Sequence, residues 1–221
     1  VPLTSHPGID RIAFTGGTET AKKIIKNSAN NFAATNLELG GKSPLVIFDD
    51  ADIESAANGI IAGNFGASGQ SCVAGSRVIA QKNISSKLKD IIKQKSENII
   101  VGNPLDPKTN LGPLCTSKQI EIIKNIINKS VSQGAEIIFG GKKIEKEGNY
   151  FEPTLIYCPH RDIETLKIEM FGPVISLIEF DSEEDAIDLA NDSEYGLGSG
   201  LFTKDLSRAH RVSKEIKAGI C

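Results

Sequence analysis

The feature that most constrains the fold is an alternation repeated along the chain. Short apolar runs closed by turn residues give way to segments whose apolar residues recur at helical spacing. Ile12-Ala13-Phe14 ends at Thr15-Gly16-Gly17, and from Thr18 the period changes, with Ala21, Ile24 and Ile25 on one stripe. The apolar and small-residue stretch from Phe32 to Leu39 is broken by Gly40-Gly41, and Leu45 to Phe48 reads as a buried strand. Behind it, Asp49-Asp50-Ala51-Asp52 supplies an N-cap and first-turn negative charge to a helix carrying Ile53, Ala56, Ala57, Ile60 and Ile61. Gly63, Gly66 and Gly69 then interrupt the pattern. Arg77 to Ala80 reads as strand, Ser85 to Asn98 as helix, and the Gly- and Pro-rich 102–114 as irregular chain. Thr116 and Gln119 have the spacing of a capping box for a helix with Ile120, Ile123, Ile127 and Val131 on its apolar face. Short strands over 136–139, 151–157 and 174–180 follow, then helix 183–191, strand 198–202 and helix 206–216. Strands alternating with helices of this length specify an α/β fold with a mostly parallel sheet flanked by helices.

Composition narrows the function classes. With 221 residues, 39% of them hydrophobic, the chain is long enough to bury a sizeable core. Its net charge is −3, and its lysines are mixed with acids, as in KLKDIIKQK, so no clustered basic face marks a nucleic-acid partner. No apolar run approaches the ~20 residues that cross a bilayer. The opening VPLTSHPGID lacks the basic and apolar regions of a secretory leader. The four cysteines (72, 115, 158 and 221) lie far apart without a CxxC pair, which argues against a disulfide framework or zinc site and favours a reducing, cytoplasmic compartment. His6, His160 and His210 share no metal-ligand spacing, so no metal is expected. The chain opens at Val1 and stops at Ala218-Gly219-Ile220-Cys221, just past the apparent start of a strand, and reads as a segment of a longer polypeptide.

Four sites carry candidate chemistry. Cys72 sits in GASGQSCVAGSR among Gly66, Gly69 and Gly75, which let backbone approach a ligand closely and adopt conformations other residues resist. A thiol there can be a nucleophile whose product oxyanion meets nearby N–H groups; the competing reading is a buried structural cysteine. Glu38, between Leu37 and Leu39, is costly to bury without a role; burial would raise its pKa and make it a usable general base. Its competing reading is a salt bridge to Lys42. FTGGTET (14–20) joins strand, glycine turn and helix start, so Gly16 and Gly17 could receive an anion at free N–H groups, although most such turns only reverse the chain. Glu169 precedes Met170-Phe171-Gly172-Pro173, where a solvated loop acid is the simpler reading.

The four segments FTGGTET, LELGGKSP, GQSCVAGSR and EMFGPV occur in this order in one chain, with Cys72 following Glu38 by 34 positions. Together with NPLDPKTNLGP, YFEPTL and YGLGSGLFTKDL, they make the whole chain resemble the NAD(P)-dependent aldehyde dehydrogenase superfamily; LELGGK and GQSC-AGSR are its most specific motifs. The resemblance implies that residues 1–40 close a Rossmann-like dinucleotide-binding domain and that 41–221 form most of a catalytic domain, incomplete at its C-terminus. It implies that Cys72 attacks an aldehyde, that its adduct loses hydride to NAD or NADP, and that Glu38 activates water to hydrolyse the thioester to an acid. It assigns Glu169 to the nicotinamide ribose hydroxyls, Phe171 to the nicotinamide side, and Gly16 and Gly17 to the neighbourhood of the cofactor phosphates. The partners implied are a small-molecule aldehyde and copies of the parent chain, in a homodimer or homotetramer.

The family's asparagine oxyanion donor and its adenosine-binding residues belong upstream of Val1, so the chain by itself is expected to be inactive, and neither the aldehyde nor the choice between NAD and NADP is encoded here. Two other functions compete: a cysteine-dependent thioester hydrolase, for which no histidine stands near either motif, and an inactive fragment acting through protein contacts.

Overall fold

The computed structural model describes residues 2–221. The chain divides into two compact units, Val1–Gly40 and Gly41–Cys221.

The first unit is a β-α-β segment: β1 (Arg11–Thr15), α1 (Thr18–Ser28) and β2 (Ala34–Glu38). β1 and β2 pair in parallel, with Thr15 opposite Glu38. Helix α1 buries Ala21, Ile24 and Ser28, which share one face at helical spacing. Ile25 is half-exposed, so the apolar stripe is narrower than the spacing suggested. The 32–39 stretch becomes strand only from Ala34, because Phe32 is almost fully exposed with a left-handed φ of 55°.

The second unit holds a six-stranded sheet in the order β5-β6-β7-β4-β3-β8. Its strands are β3 (Pro44–Ile47), β4 (Arg77–Gln81), β5 (Glu136–Phe139), β6 (Thr154–Tyr157), β7 (Val174–Phe180) and β8 (Gly200–Phe202). All neighbours run parallel except the edge pair β5–β6, so the mostly parallel sheet expected from the alternation is present. The central strands are apolar on both faces, as a parallel sheet covered on two sides requires. Val46, Ile79 and Ile178 face α4 (Ser117–Ser132), α6 (Glu183–Asn191) and α7 (Leu206–Glu215). Their neighbours Ile47, Val78 and Leu177 face α2 (Ile53–Phe65) and α3 (Lys82–Ser96). A short α5 (Glu164–Lys167) had no signal in the periodicity.

Local signals fared unevenly. Asp52 caps α2 as expected, accepting the Ser55 N–H at 2.8 Å. Asp50 instead binds the chain ahead of α7, accepting from Thr203 Oγ1, the Lys204 and Asp205 N–H groups and Arg208. The Thr116–Gln119 capping box does not form: Thr116 makes no side-chain cap, and Gln119 Nε2 donates instead to the Met170 carbonyl at 2.5 Å. Val131 is 45% exposed rather than packed, while Ile126 takes a place on the buried face of α4.

Candidate active site

Three sequence-distant segments meet at one end of the sheet. Gly41 precedes β3, Cys72 precedes β4 and Glu169–Phe171 precede β7, and the sheet places β7, β4 and β3 side by side. The site therefore lies off the N-terminal ends of parallel strands. Open α/β sheets ordinarily bind ligands off the carboxyl ends. No sequence period could have revealed this, because it depends on strand order.

Cys72 stands second in a turn closed by the Ala74 N–H to the Ser71 carbonyl at 3.1 Å. The amide of that second residue takes no part in the turn's bond, so it is free to point at a ligand. Cys72 is partly exposed and makes no disulfide. The turn is set by an unusual approach, since Ala67, Ser68 and Gly69 occupy the left-handed region in succession (φ 49°, 57° and 71°). The two non-glycine residues cost on the order of 1–3 kcal/mol each. Side-chain tethers hold this strained stretch in place: Ser68 Oγ donates to the Gly112 carbonyl at 3.0 Å, and Gln70 Oε1 accepts from the Cys115 N–H at 3.0 Å. Both partners belong to the loop that follows NPLDPKTN, a function for that loop that the sequence did not announce.

Glycines here serve close packing of backbone on backbone. A Cβ at Gly41 would lie 2.3 Å from the Cys72 carbonyl oxygen, and one at Gly69 would lie 2.1 Å from the Gly172 carbonyl. The Cys72 loop is thereby fitted between Gly41 on one side and Gly172 on the other. Gly41, Gly69, Ser71, Ala74, Glu169 and Phe171 line one small cavity.

Glu169 is half-buried and accepts the Gly41 N–H at 3.1 Å. Burial pushes its carboxyl above the usual carboxylate range, while the Gly41 N–H and the Lys42 ammonium pull it back. The reading of Glu169 as a solvated loop acid is therefore corrected: the carboxyl is fixed on the backbone of another segment. Phe171 holds a left-handed φ of 45° and is 38% exposed. An aromatic residue in that region is strained, and such strain clusters at ligand sites.

Within the first unit, Glu38 ends β2 and is exposed, which corrects the burial its leucine neighbours suggested. Leu37 and Leu39 are themselves half-buried. The Glu38 carbonyl accepts the Gly16 N–H at 2.9 Å, joining strand end to glycine turn. The salt bridge weighed for Glu38 needs the Lys42 ammonium, which is buried and without a hydrogen-bond partner. Gly17 is the N-cap of α1, and a Cβ built there would meet nothing within 4 Å.

Arg77, the last residue of GQSCVAGSR, was overlooked by site reasoning. It is buried, and its guanidinium donates to four backbone carbonyls, those of Lys42, Leu189, Ala190 and Asp192. Three of these end or follow α6, where carbonyls lack helical partners and favour a cation. Among the described residues no group of His, Cys, Asp and Glu could hold a metal ion, and no helix is long and apolar enough to cross a membrane.

The glycine-bedded Cys72 loop and the Glu169 carboxylate thus meet at one end of an α/β sheet. The chain belongs to the aldehyde dehydrogenase family, whose profile it matches over residues 1–221. It is 47% identical over 219 residues to (Z)-2-((N-methylformamido)methylene)-5-hydroxybutyrolactone dehydrogenase of Acinetobacter baylyi, covering 99% of this chain and 45% of that protein. It is 44% identical to the peroxisomal aminoaldehyde dehydrogenase 2 of Malus domestica, covering 99% of this chain and 44% of that protein. Among solved structures it resembles betaine aldehyde dehydrogenase of Staphylococcus aureus in complex with NAD+. The TM-score is 0.95 at 39% identity, over 99% of this chain and 44% of that one. The chain thus spans about half the length of the relatives it matches.

Proposed function

We propose that the full-length protein oxidises an aldehyde to a carboxylic acid with NAD or NADP, with Cys72 as nucleophile and Glu38 as the base for deacylation. The observation that carries this reading is the Cys72 turn, bedded on Gly41 and braced by Ser68 and Gln70. The residues present suit a dinucleotide. Glu169 offers a fixed carboxylate acceptor to a ribose diol, and Gly17 opens a helix N-terminus to a phosphate. The bound dinucleotide would supply the hydride acceptor. Residues 1–40 are read as the end of its domain, and residues 41–221 as part of the catalytic domain.

The Cys72 thiolate adds to the aldehyde carbon, and the new oxyanion is met by the Cys72 N–H, worth roughly 100- to 1,000-fold in rate for a well-placed donor. Loss of hydride from that carbon leaves a thioester on Cys72. Glu38 takes a proton from water, which attacks the thioester and releases the acid and the thiol. An exposed carboxylate at a strand end is available for this if water is its reaction partner. Phe171 would pack against the nicotinamide. Substrates of the aminoaldehyde and betaine-aldehyde type are candidates from the relatives' names, and a cytoplasmic homodimer or homotetramer is the expected setting.

The test is absorbance at 340 nm in the full-length protein with NAD or NADP and a panel of aldehydes. Cys72→Ala is expected to abolish NADH or NADPH formation without loss of fold. Undiminished turnover in Cys72→Ala, or thioester hydrolysis without any nicotinamide signal in the wild type, would overturn the reading.

A further inference from the structure

The turn that carries Glu169 and Phe171 is strained, so its surroundings must hold it. Phe171 keeps a left-handed φ of 45°, which persists in a non-glycine residue only where neighbouring groups fix the backbone. Helix α4 and the chain entering it do so. The Met170 side chain is buried in one cluster with Leu114, Ile120 and Ile123. A Cβ at Gly172 would overlap the Ile123 side chain, so that glycine lies directly against the helix. Gln119 Nε2 donates to the Met170 carbonyl at 2.5 Å.

Gln119 and Ile123 stand one turn apart on α4, so they share a face, and that face meets the turn at two points. The chain entering the same helix braces the other half of the site. The Gly112 carbonyl accepts from Ser68 Oγ at 3.0 Å, and the Cys115 N–H donates to Gln70 Oε1 at 3.0 Å. One stretch, 112–123, thus holds the approach to Cys72 with its first residues and the Glu169–Phe171 turn with its last. Gln119 is half-buried and forgoes the capping role that its spacing from Thr116 suggested. The carbonyl it holds belongs to the peptide unit that joins Met170 to Phe171. Fixing that unit restrains the φ of Phe171 and the path of the chain at Glu169, whose carboxyl accepts the Gly41 N–H at 3.1 Å.

We propose that Gln119 is a positioning residue: from the first turn of α4 its amide holds the Met170 carbonyl and so fixes the backbone that presents Glu169 and Phe171 to the nicotinamide half of the dinucleotide. The inference rests on the reading of Glu169 and Phe171 as the residues that meet the nicotinamide ribose and ring. Loss of the amide leaves a carbonyl unpaired and frees a strained turn to relax. The Cys72 loop keeps its own tethers through Ser68 and Gln70, so the effect falls on the dinucleotide and not on the thiol.

The experiment is a calorimetric titration of the full-length protein with NAD+, with NADP+ and with ADP, which has an adenosine half but no nicotinamide ribose. The variants are Gln119→Leu, Gln119→Asn and Glu169→Gln, with thermal melts to verify folding and limiting iodoacetamide to follow Cys72. Gln119→Leu keeps the bulk and removes the donor. It is expected to weaken dinucleotide binding about tenfold, the equivalent of about 1.4 kcal/mol, and to leave ADP affinity and the Cys72 labelling rate unchanged. Gln119→Asn keeps the amide but withdraws it by one methylene. The same selective loss is expected of it, and it keeps the proposal testable if the leucine variant does not fold. Wild-type dinucleotide affinity in these variants, or a loss shared by ADP or accompanied by altered Cys72 labelling, would show a glutamine that merely stabilises α4 and overturn the inference. Unchanged dinucleotide affinity in Glu169→Gln would instead overturn the ribose reading itself.

Discussion

Four thiols of one chemistry sit in four environments, so reactivity is decided residue by residue. Cys158 is fully buried against Thr165, and burial raises its thiol to about 11. Thiolate is the nucleophile, so Cys158 should be the last of the four to react. Cys115 and Cys221 are exposed, but Cys72 alone stands in a turn whose neighbours bring other backbone into contact with it. With limiting iodoacetamide at neutral pH and peptide mapping by mass spectrometry, Cys72 is expected to be labelled first and Cys158 last. Early labelling of Cys158 would contradict the structure, and faster labelling of Cys115 than Cys72 would contradict the assignment of the nucleophile. The glycine-rich setting of Cys72 was legible in the sequence, as was the oddity of an acid beside Met170-Phe171-Gly172. The environment of Glu38 was not, because leucine neighbours along a strand point to alternate faces and say nothing of what covers them.

At the scale of elements, the site depends on backbone packing. Gly69 combines a φ of 71° with a position where any Cβ would overlap the Gly172 carbonyl. Gly69→Ala should therefore cost at least about 1–3 kcal/mol from the backbone alone and push the Cys72 loop away from EMFGPV. Denaturant melts of the full-length protein, read beside its turnover, check this; unchanged stability and activity would contradict the packing described. Arg77 acts on elements as well, clamping the end of α6 to the start of β3 with hydrogen bonds a lysine cannot reproduce. Arg77→Lys is expected to destabilise by about 1–3 kcal/mol for each buried carbonyl left unpaired. Strand and helix existence was readable from periodicity at nearly every element of the sheet. The capping box failed for a physical reason: the Gln119 amide found a better-placed acceptor at Met170, in a segment 51 residues away. Sequence spacing registers only local partners.

At the scale of the molecule, one principle of the class was visible early and one was hidden. The α/β alternation dictated a mostly parallel sheet, and the sheet is mostly parallel. Where the Gly41, Cys72 and Glu169 segments meet depends on the order β7-β4-β3, which brings the chain before three strands together; only the assembled topology supplies that. In the proposed function, the full-length protein works through a covalent intermediate on Cys72. The most direct measurement uses the full-length Glu38→Gln protein, mixed with aldehyde and NAD or NADP, followed at 340 nm and then digested for mass spectrometry. A burst of about one equivalent of reduced nicotinamide is expected, with little steady turnover and an acyl group on the peptide bearing Cys72. Sustained turnover at the wild-type rate, or an acyl group on any other residue, would contradict it.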